Sequence, residues 1–183
     1  MATTKHALVA LVSDKPGVLN RIASLFRRRG FNIESIAVGH SEVTGISRVT
    51  IVVDGTTTQV EQVRKQLEKV VDVIKVSDVT GNSTITRELA LIKVKATTAN
   101  RSEIIQVVDI FRANIVDVSS DSVMIEVTGD DEKVNSLYKL LRSFGIKEIA
   151  RTGTIAMTRG SLTSSITEER KPKSQVKSKK TVQ

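Results

Sequence analysis

The sequence predicts an α+β protein of two small domains, each with the order strand, helix, strand, strand, helix, strand. Two patterns and one bulk property carry that prediction. Apolar residues switch between a period of two and a period near 3.6 in the order βαββαβ, and the same order recurs in the second half of the chain. The 183 residues are 39% hydrophobic, enough for two modest cores.

The first strand is the apolar run His6 to Val12. A helix is predicted from about Pro16 to Arg29, with Leu19, Ile22, Ala23 and Phe26 on one face and Gly30 as its C-terminal stop. The second strand, Phe31 to Gly39, changes phase. Phe31 and Ile33 point one way and Ile36 and Val38 the other, which a bulge near Glu34-Ser35 explains. Ile46 to Val53 forms the third strand. Thr58 to Val70 forms the second helix, with Glu61, Arg64, Lys65 and Glu68 spaced for ion pairs on its outer face. Val71 to Val79 closes the unit. The arrangement is ferredoxin-like: an antiparallel sheet with two helices on one face.

Gly81-Asn82-Ser83-Thr84 reads as a linker. The order then repeats as strand Glu88–Ala96, helix Ser102–Arg112, strands Ile115–Ser119 and Ser122–Thr128, helix Asp131–Phe144 and a strand from Ile146. Asp130 and Asp131 lead that last helix as N-terminal caps. The expected boundaries are a first domain over 5–80, a linker over 81–86, a second ferredoxin-like domain over 87–160 and a disordered basic tail over 161–183.

The net charge of +8 invites a nucleic-acid partner. Its distribution argues otherwise. Residues 161–183 carry six basic and two acidic side chains, half the net charge, in a stretch poor in large apolar groups. RNA-binding modules of this strand order stack bases on aromatics in the first and third strands. Here neither strand holds Phe, Tyr or Trp, and aromatics are 3% of the chain. No apolar run approaches the ~20 residues that span a bilayer. Met1-Ala2-Thr3-Thr4-Lys5 leads straight into a strand, so no targeting segment is expected. Without cysteine there is no disulfide or thiolate site, and a cytoplasmic or plastid-interior setting fits.

Catalytic chemistry finds no carriers. The two histidines, His6 and His40, fall at a strand start and near a hairpin turn, where surface positions are expected. No spacing of His, Asp and Glu suits a metal, and no phosphate-binding glycine loop is present. The run Ala7-Leu8-Val9-Ala10-Leu11-Val12 is apolar on both sides. One side is covered by helices, and an exposed second side predicts self-association through the sheet.

What remains is Asp14-Lys15-Pro16-Gly17-Val18-Leu19, where a strand turns through Pro-Gly into a helix. Such a turn offers free backbone N–H groups at the positive end of a helix, beside the carboxylate of Asp14. That pair complements the carboxylate and ammonium of a free amino acid. Asn32, in the strand expected beside the first, is a further candidate, reaching Asp14 from that strand or from a second subunit. The alternative is structural: Asp14 caps the helix and Asn32 satisfies a strand end. The corresponding loop of the second domain, Ala96-Thr97-Thr98-Ala99-Asn100, has neither glycine nor acid.

Asp14-Lys15-Pro16-Gly17-Val18-Leu19 followed by Gly30-Phe31-Asn32-Ile33-Glu34-Ser35 resembles the ACT domain of acetolactate synthase small regulatory subunits. Ser47-Arg48-Val49-Thr50-Ile51, Arg87–Val94 and Phe111–Val118 agree, so the resemblance spans about residues 5 to 160. It implies a non-catalytic protein that binds and activates a large catalytic subunit carrying thiamine diphosphate, Mg and FAD. It also implies feedback inhibition by valine in branched-chain amino-acid synthesis, and homodimers formed through ACT domains. By position, Gly17, Val18 and Leu19 hold the valine carboxylate, Asp14 and Asn32 serve its amino end, and Ile33 lines the side-chain pocket. Some family members carry Asn where this chain has Asp14. The rival readings are another amino-acid-sensing ACT protein and a basic nucleic-acid-binding module.

Overall fold

The computed structural model describes residues 4–81 and 83–160, in two compact units that divide between Thr84 and Ile85 and again between Met157 and Thr158. The expected tail over 161–183 and position 82 of the expected linker lie outside the described residues.

The first unit runs β1 (Thr4–Ser13), α1 (Val18–Arg29), β2 (Ile33–His40), β3 (Ile46–Gly55), α2 (Thr57–Leu67) and β4 (Val73–Asp78). Its sheet is antiparallel in the order β2-β3-β1-β4. Leu8, Ala10 and Val12 of β1 and Val49, Ile51 and Val53 of β3 alternate onto one face. They meet Val18, Ile22, Leu25 and Phe26 of α1 and Val60, Val63 and Leu67 of α2 in a single core. The buried stripe of α1 is rotated from the expected one: Leu19 is 46% exposed and Ala23 is exposed, while Val18 and Leu25 are buried. Leu19 and Ala23 have helical spacing from Ile22 and Phe26 but sit on the stripe's outer margin, so periodicity alone does not separate the two choices.

The phase change in the second strand is a bulge. Ile33 pairs with Val53 and Ser35 with Val52, so Glu34 is the extra residue. The bulge returns Ile36 and Val38 to the face of Ile51 and Val49, which are their partners in register. Helix α1 ends at Gly30, whose φ of 69° is left-handed. Phe31 N–H then donates to the Phe26 carbonyl at 3.1 Å, satisfying the orphan carbonyls of the last turn. Arg27, Arg28 and Arg29 fall in that turn, where the helix dipole favours cations. On α2, Thr56 and Gln59 form a reciprocal capping box. Arg64 bridges Glu61 at 2.7 Å and Glu68 at 2.5 Å, and its hydrogen bond holds the Glu61 carboxyl down to about 2.

Two expectations fail here. The second face of β1 carries Val9 and Leu11, yet each is only 1% exposed, so that face gives no cause for self-association. Apolar surface is left instead at the sheet edge, where Ile36 and Val38 of β2 are 41% and 48% exposed. His6 is buried rather than superficial, with Nδ1 3.8 Å from a carboxylate oxygen of Asp78. The even phase of β1 that carries Leu8 and Ala10 into the core carries His6 with them.

The second unit repeats the plan with β5 (Thr84–Lys95), α3 (Arg101–Ile110), β6 (Asn114–Val118), β7 (Ser122–Gly129), α4 (Asp131–Leu141) and β8 (Ile146–Arg151). Its strand order is β6-β7-β5-β8, and β6 carries a bulge at the same place as β2, between Ile115 and Asp117. Asp130 caps α4, its carboxylate accepting from Lys133 N–H at 2.9 Å. A short β9 (Ile155–Thr158), which the periodicity does not predict, pairs with β5. Four residues are too few to show a period. Strand β5 starts at Thr84, within the segment expected to link the domains.

Candidate functional site

Residues 14 to 17 turn the chain from β1 into α1, and three contacts shape the turn. Asp14 N–H donates to the Gly45 carbonyl at 2.9 Å, tying the turn to the β2–β3 hairpin. Ser13 N–H donates to the Asp72 carbonyl at 2.9 Å, and Asp72 in turn pairs with Arg21 on the first turns of α1. Gly17 supplies the corner itself. Its φ of 87° lies in the left-handed region, and a Cβ built there would meet nothing within 4 Å. Glycine is needed for conformation, not for space.

No side chain caps α1, and its first turn has no acid. Helices α2 and α4 are capped by side chains, whereas α3, like α1, is not, although the first turn of α3 carries Glu103 and that of α1 has no acid. Val18 N–H makes a long 3.5 Å contact with the Lys15 carbonyl. The amides of the first turn therefore face an exposed surface at the positive end of the helix. Asp14 does not cap the helix, as the structural alternative required. Its carboxylate lies 3.4 Å from Nδ1 of His40, at the end of β2. Sequence reasoning set His40 aside. Nothing local links residues 14 and 40; the sheet brings them together because β1 and β2 run in the same direction on either side of β3.

The same topology separates Asn32 from Asp14. The expectation that the second strand runs beside the first is corrected, because β3 intervenes. Asn32 precedes Ile33, which pairs with Val53 at one end of β3. His40, beside Asp14, pairs with Ser47 near the other end. The six residue steps from Ser47 to Val53 span about 20 Å of extended strand. Within one chain, Asn32 and Ile33 thus stand at the opposite end of the sheet from Asp14, Gly17, Val18 and Leu19.

The second unit closes the corresponding turn with its own groups. Asn100 Oδ1 accepts from Thr97 N–H at 2.6 Å. The Arg101 guanidinium reaches the β6–β7 hairpin and donates to the Ser119 and Ser120 carbonyls at 2.8 and 3.1 Å. At the position that Arg101 takes relative to Ile104, the first unit has Leu19 relative to Ile22. Among the described residues no group of three His, Asp or Glu could hold a metal ion, and no helix is long and apolar enough to cross a membrane.

A four-stranded β2-β3-β1-β4 sheet under two helices, with an open glycine-cornered turn between β1 and α1, defines an ACT-domain protein with a second ferredoxin-like unit. Residues 8–75 match the family model described as the AHAS small subunit-like ACT domain. Residues 87–160 match that of the small subunit of acetolactate synthase. The chain belongs to the acetolactate synthase small-subunit family. It is 56% identical over 164 residues to a probable acetolactate synthase small subunit of Methanothermobacter thermautotrophicus, covering 89% of this chain and 98% of that one. It is 51% identical over 158 residues to the acetolactate synthase small subunit of Bacillus subtilis, covering 85% and 91%. The crystal structure of the small subunit from Thermotoga maritima superposes with a TM-score of 0.80 at 45% identity, covering 87% and 99%.

Proposed function

We propose that this chain is the regulatory subunit of acetolactate synthase. It binds the large catalytic subunit, which carries thiamine diphosphate, Mg and FAD, raises its activity, and makes it subject to feedback inhibition by valine. The observation that carries the effector part is the uncapped first turn of α1 beside the Asp14 carboxylate. A zwitterion needs both signs within a few ångströms, and an open helix start next to an acid supplies them.

In this reading the amides of Gly17, Val18 and Leu19 receive the valine carboxylate. Asp14 takes the ammonium, exchanging its contact with His40 for a full positive charge. Asn32 and Ile33 come from a second copy. Two copies joined edge to edge through β2, antiparallel about a two-fold axis, set the start of one β2 beside the end of the other. Asn32 of one copy then approaches His40, Asp14 and Gly17 of its mate, spanning the distance that no single chain can. The exposed Ile36 and Val38 on that edge supply apolar area for the joint. Valine bound across two copies favours one packing of the joint over another. An allosteric coupling of ~1–3 kcal/mol is enough to change affinity roughly 5–150-fold.

The direct test is reconstitution with the cognate large subunit. The chain is expected to co-purify with it, to raise acetolactate formation, and to make that formation valine-sensitive. A large subunit equally active and equally valine-insensitive with or without this chain would refute the reading.

A further inference from the structure

We infer that the groove between α1 and α2 is a docking site for an acidic segment of the large catalytic subunit that carries one apolar anchor side chain. The inference rests on the proposed regulatory role and adds a surface to it. The groove encloses about 240 Å³ and is lined entirely by residues of the first unit. Its walls include Leu25, Phe26, Phe31 and Val63, all of them core residues or packed against the core, so the floor is apolar and rigid. Its rim is cationic, with Arg29 from α1 and Lys65 and Lys69 from α2 and the turn beyond it. No carboxylate is among the lining residues.

The local acids do not neutralise that rim. Glu61 and Glu68 are both engaged by Arg64, at 2.7 and 2.5 Å, and Lys65 reaches the same Glu61, at 3.6 Å. Among the described residues Arg29 and Lys69 meet no carboxylate. Charge therefore selects the occupant. The chain's own basic segment over 161–183 is repelled, and a second copy docked symmetrically would set cations against cations.

Volume and polarity select further. The space is smaller than the ~300–1,000 Å³ of pockets that enclose whole cofactors or drug-sized ligands. It suits one or two side chains, the scale of an interface anchor. Gln62 and Gln66, one helical turn apart on the groove wall, present neutral amides that can both donate and accept. Such groups match a peptide backbone better than a simple anion. An acidic segment with one buried apolar side chain satisfies floor, rim and wall together.

The test measures affinity of the full chain for the cognate large subunit at about 50 and about 300 mM salt, where screening separates charge from packing. Arg29→Glu with Lys69→Glu is expected to weaken binding at least tenfold at low salt and to flatten the salt dependence. Gln66→Trp, which fills the groove without changing charge, is expected to weaken binding at both salts. Lys139→Glu on the second unit serves as the control and is expected to bind as wild type. Thermal melts check that each variant is folded. Wild-type affinity and salt dependence in the groove variants would overturn the docking site and leave the regulatory role standing. The same result with loss of binding to 1-anilinonaphthalene-8-sulfonate would also overturn it, assigning the groove to a small amphiphilic anion. A wild-type chain that fails to bind the large subunit would overturn both.

Discussion

If the two halves of the valine site come from different copies, two defective chains repair each other when mixed. The perturbations are Gly17→Asp, which damages the helix start, and Asn32→Ala, which removes the amide from the far end of the sheet. At a φ of 87° a non-glycine residue costs about 1–2 kcal/mol. An acid at a helix N-terminus returns about 0.3–1 kcal/mol of that. The net loss is near 1 kcal/mol, a melting shift of roughly 4–8 °C for a unit of this size, so Gly17→Asp stays folded. Binding suffers far more. The new carboxylate takes the amides meant for valine, and each charge-assisted hydrogen bond lost costs about 1.5–3 kcal/mol. Two of them put the affinity down more than about 100-fold. Asn32→Ala loses one, roughly 10- to 150-fold.

Each variant alone is therefore expected to bind valine more weakly than wild type, by more than about 100-fold for Gly17→Asp and roughly 10- to 150-fold for Asn32→Ala, yet to keep activating the large subunit. Random exchange of a 1:1 mixture makes about half of the dimers mixed. In a mixed dimer one site joins an intact Gly17 to an intact Asn32, and the other is doubly damaged. Calorimetry of the mixture should thus recover wild-type affinity at about a quarter of all sites. Wild-type valine inhibition by Gly17→Asp would show that the helix start is not the site. Loss in both variants with no recovery on mixing would show that the two residues do not meet across a two-fold joint.

Three further outcomes follow from the same structure. Ile36→Lys with Val38→Lys on the β2 edge is expected to yield a folded monomer by light scattering, with valine binding lost, because these side chains already face solvent and only the joint needs them. Glu61→Gln tests the Arg64 bridge by thermal melts against pH. A carboxylate depressed to about 2 contributes stability above its ordinary value of 4.5 and loses it as pH falls through about 2. The melting difference between wild type and variant should therefore be small and constant near neutral pH and close across that interval; a difference that persists below it would point to lost packing instead. Removal of residues 161–183 is expected to leave co-purification with the large subunit unchanged, and loss of the complex on truncation would give the basic segment an assembly role.

Much of this molecule is readable from local pattern. A period of two or of 3.6 is set by residues a few positions apart, so the order βαββαβ and its repetition are visible in the sequence. So are the glycine stop of α1, the cap on α4 and the bulge in β2, each of which is a disturbance of period or a capping residue at a helix end. The turn at Asp14–Leu19 belongs to the same class. A Pro-Gly corner opening a helix announces free amides whatever the rest of the chain does. Burial at the margin of a stripe is less legible. Leu19 and Leu25 both suit an apolar face, and only the position of the sheet decided that Leu25 is covered and Leu19 is not.

Strand order is different in kind, because it depends on pairings between residues far apart in sequence. By itself the sequence determined that a Pro-Gly turn beside Asp14 opens α1 with free amides, and that Asn32 follows that helix. Only the tertiary structure decided that β3 lies between β1 and β2. That single placement sets His40 beside Asp14 and leaves Ile36 and Val38 on an open edge. It also carries Asn32 about 20 Å along the sheet from the turn it was expected to join. The physical reason is the antiparallel ladder: β1 and β2, both antiparallel to β3, run the same way, so the end of one and the beginning of the other lie at opposite ends of the sheet.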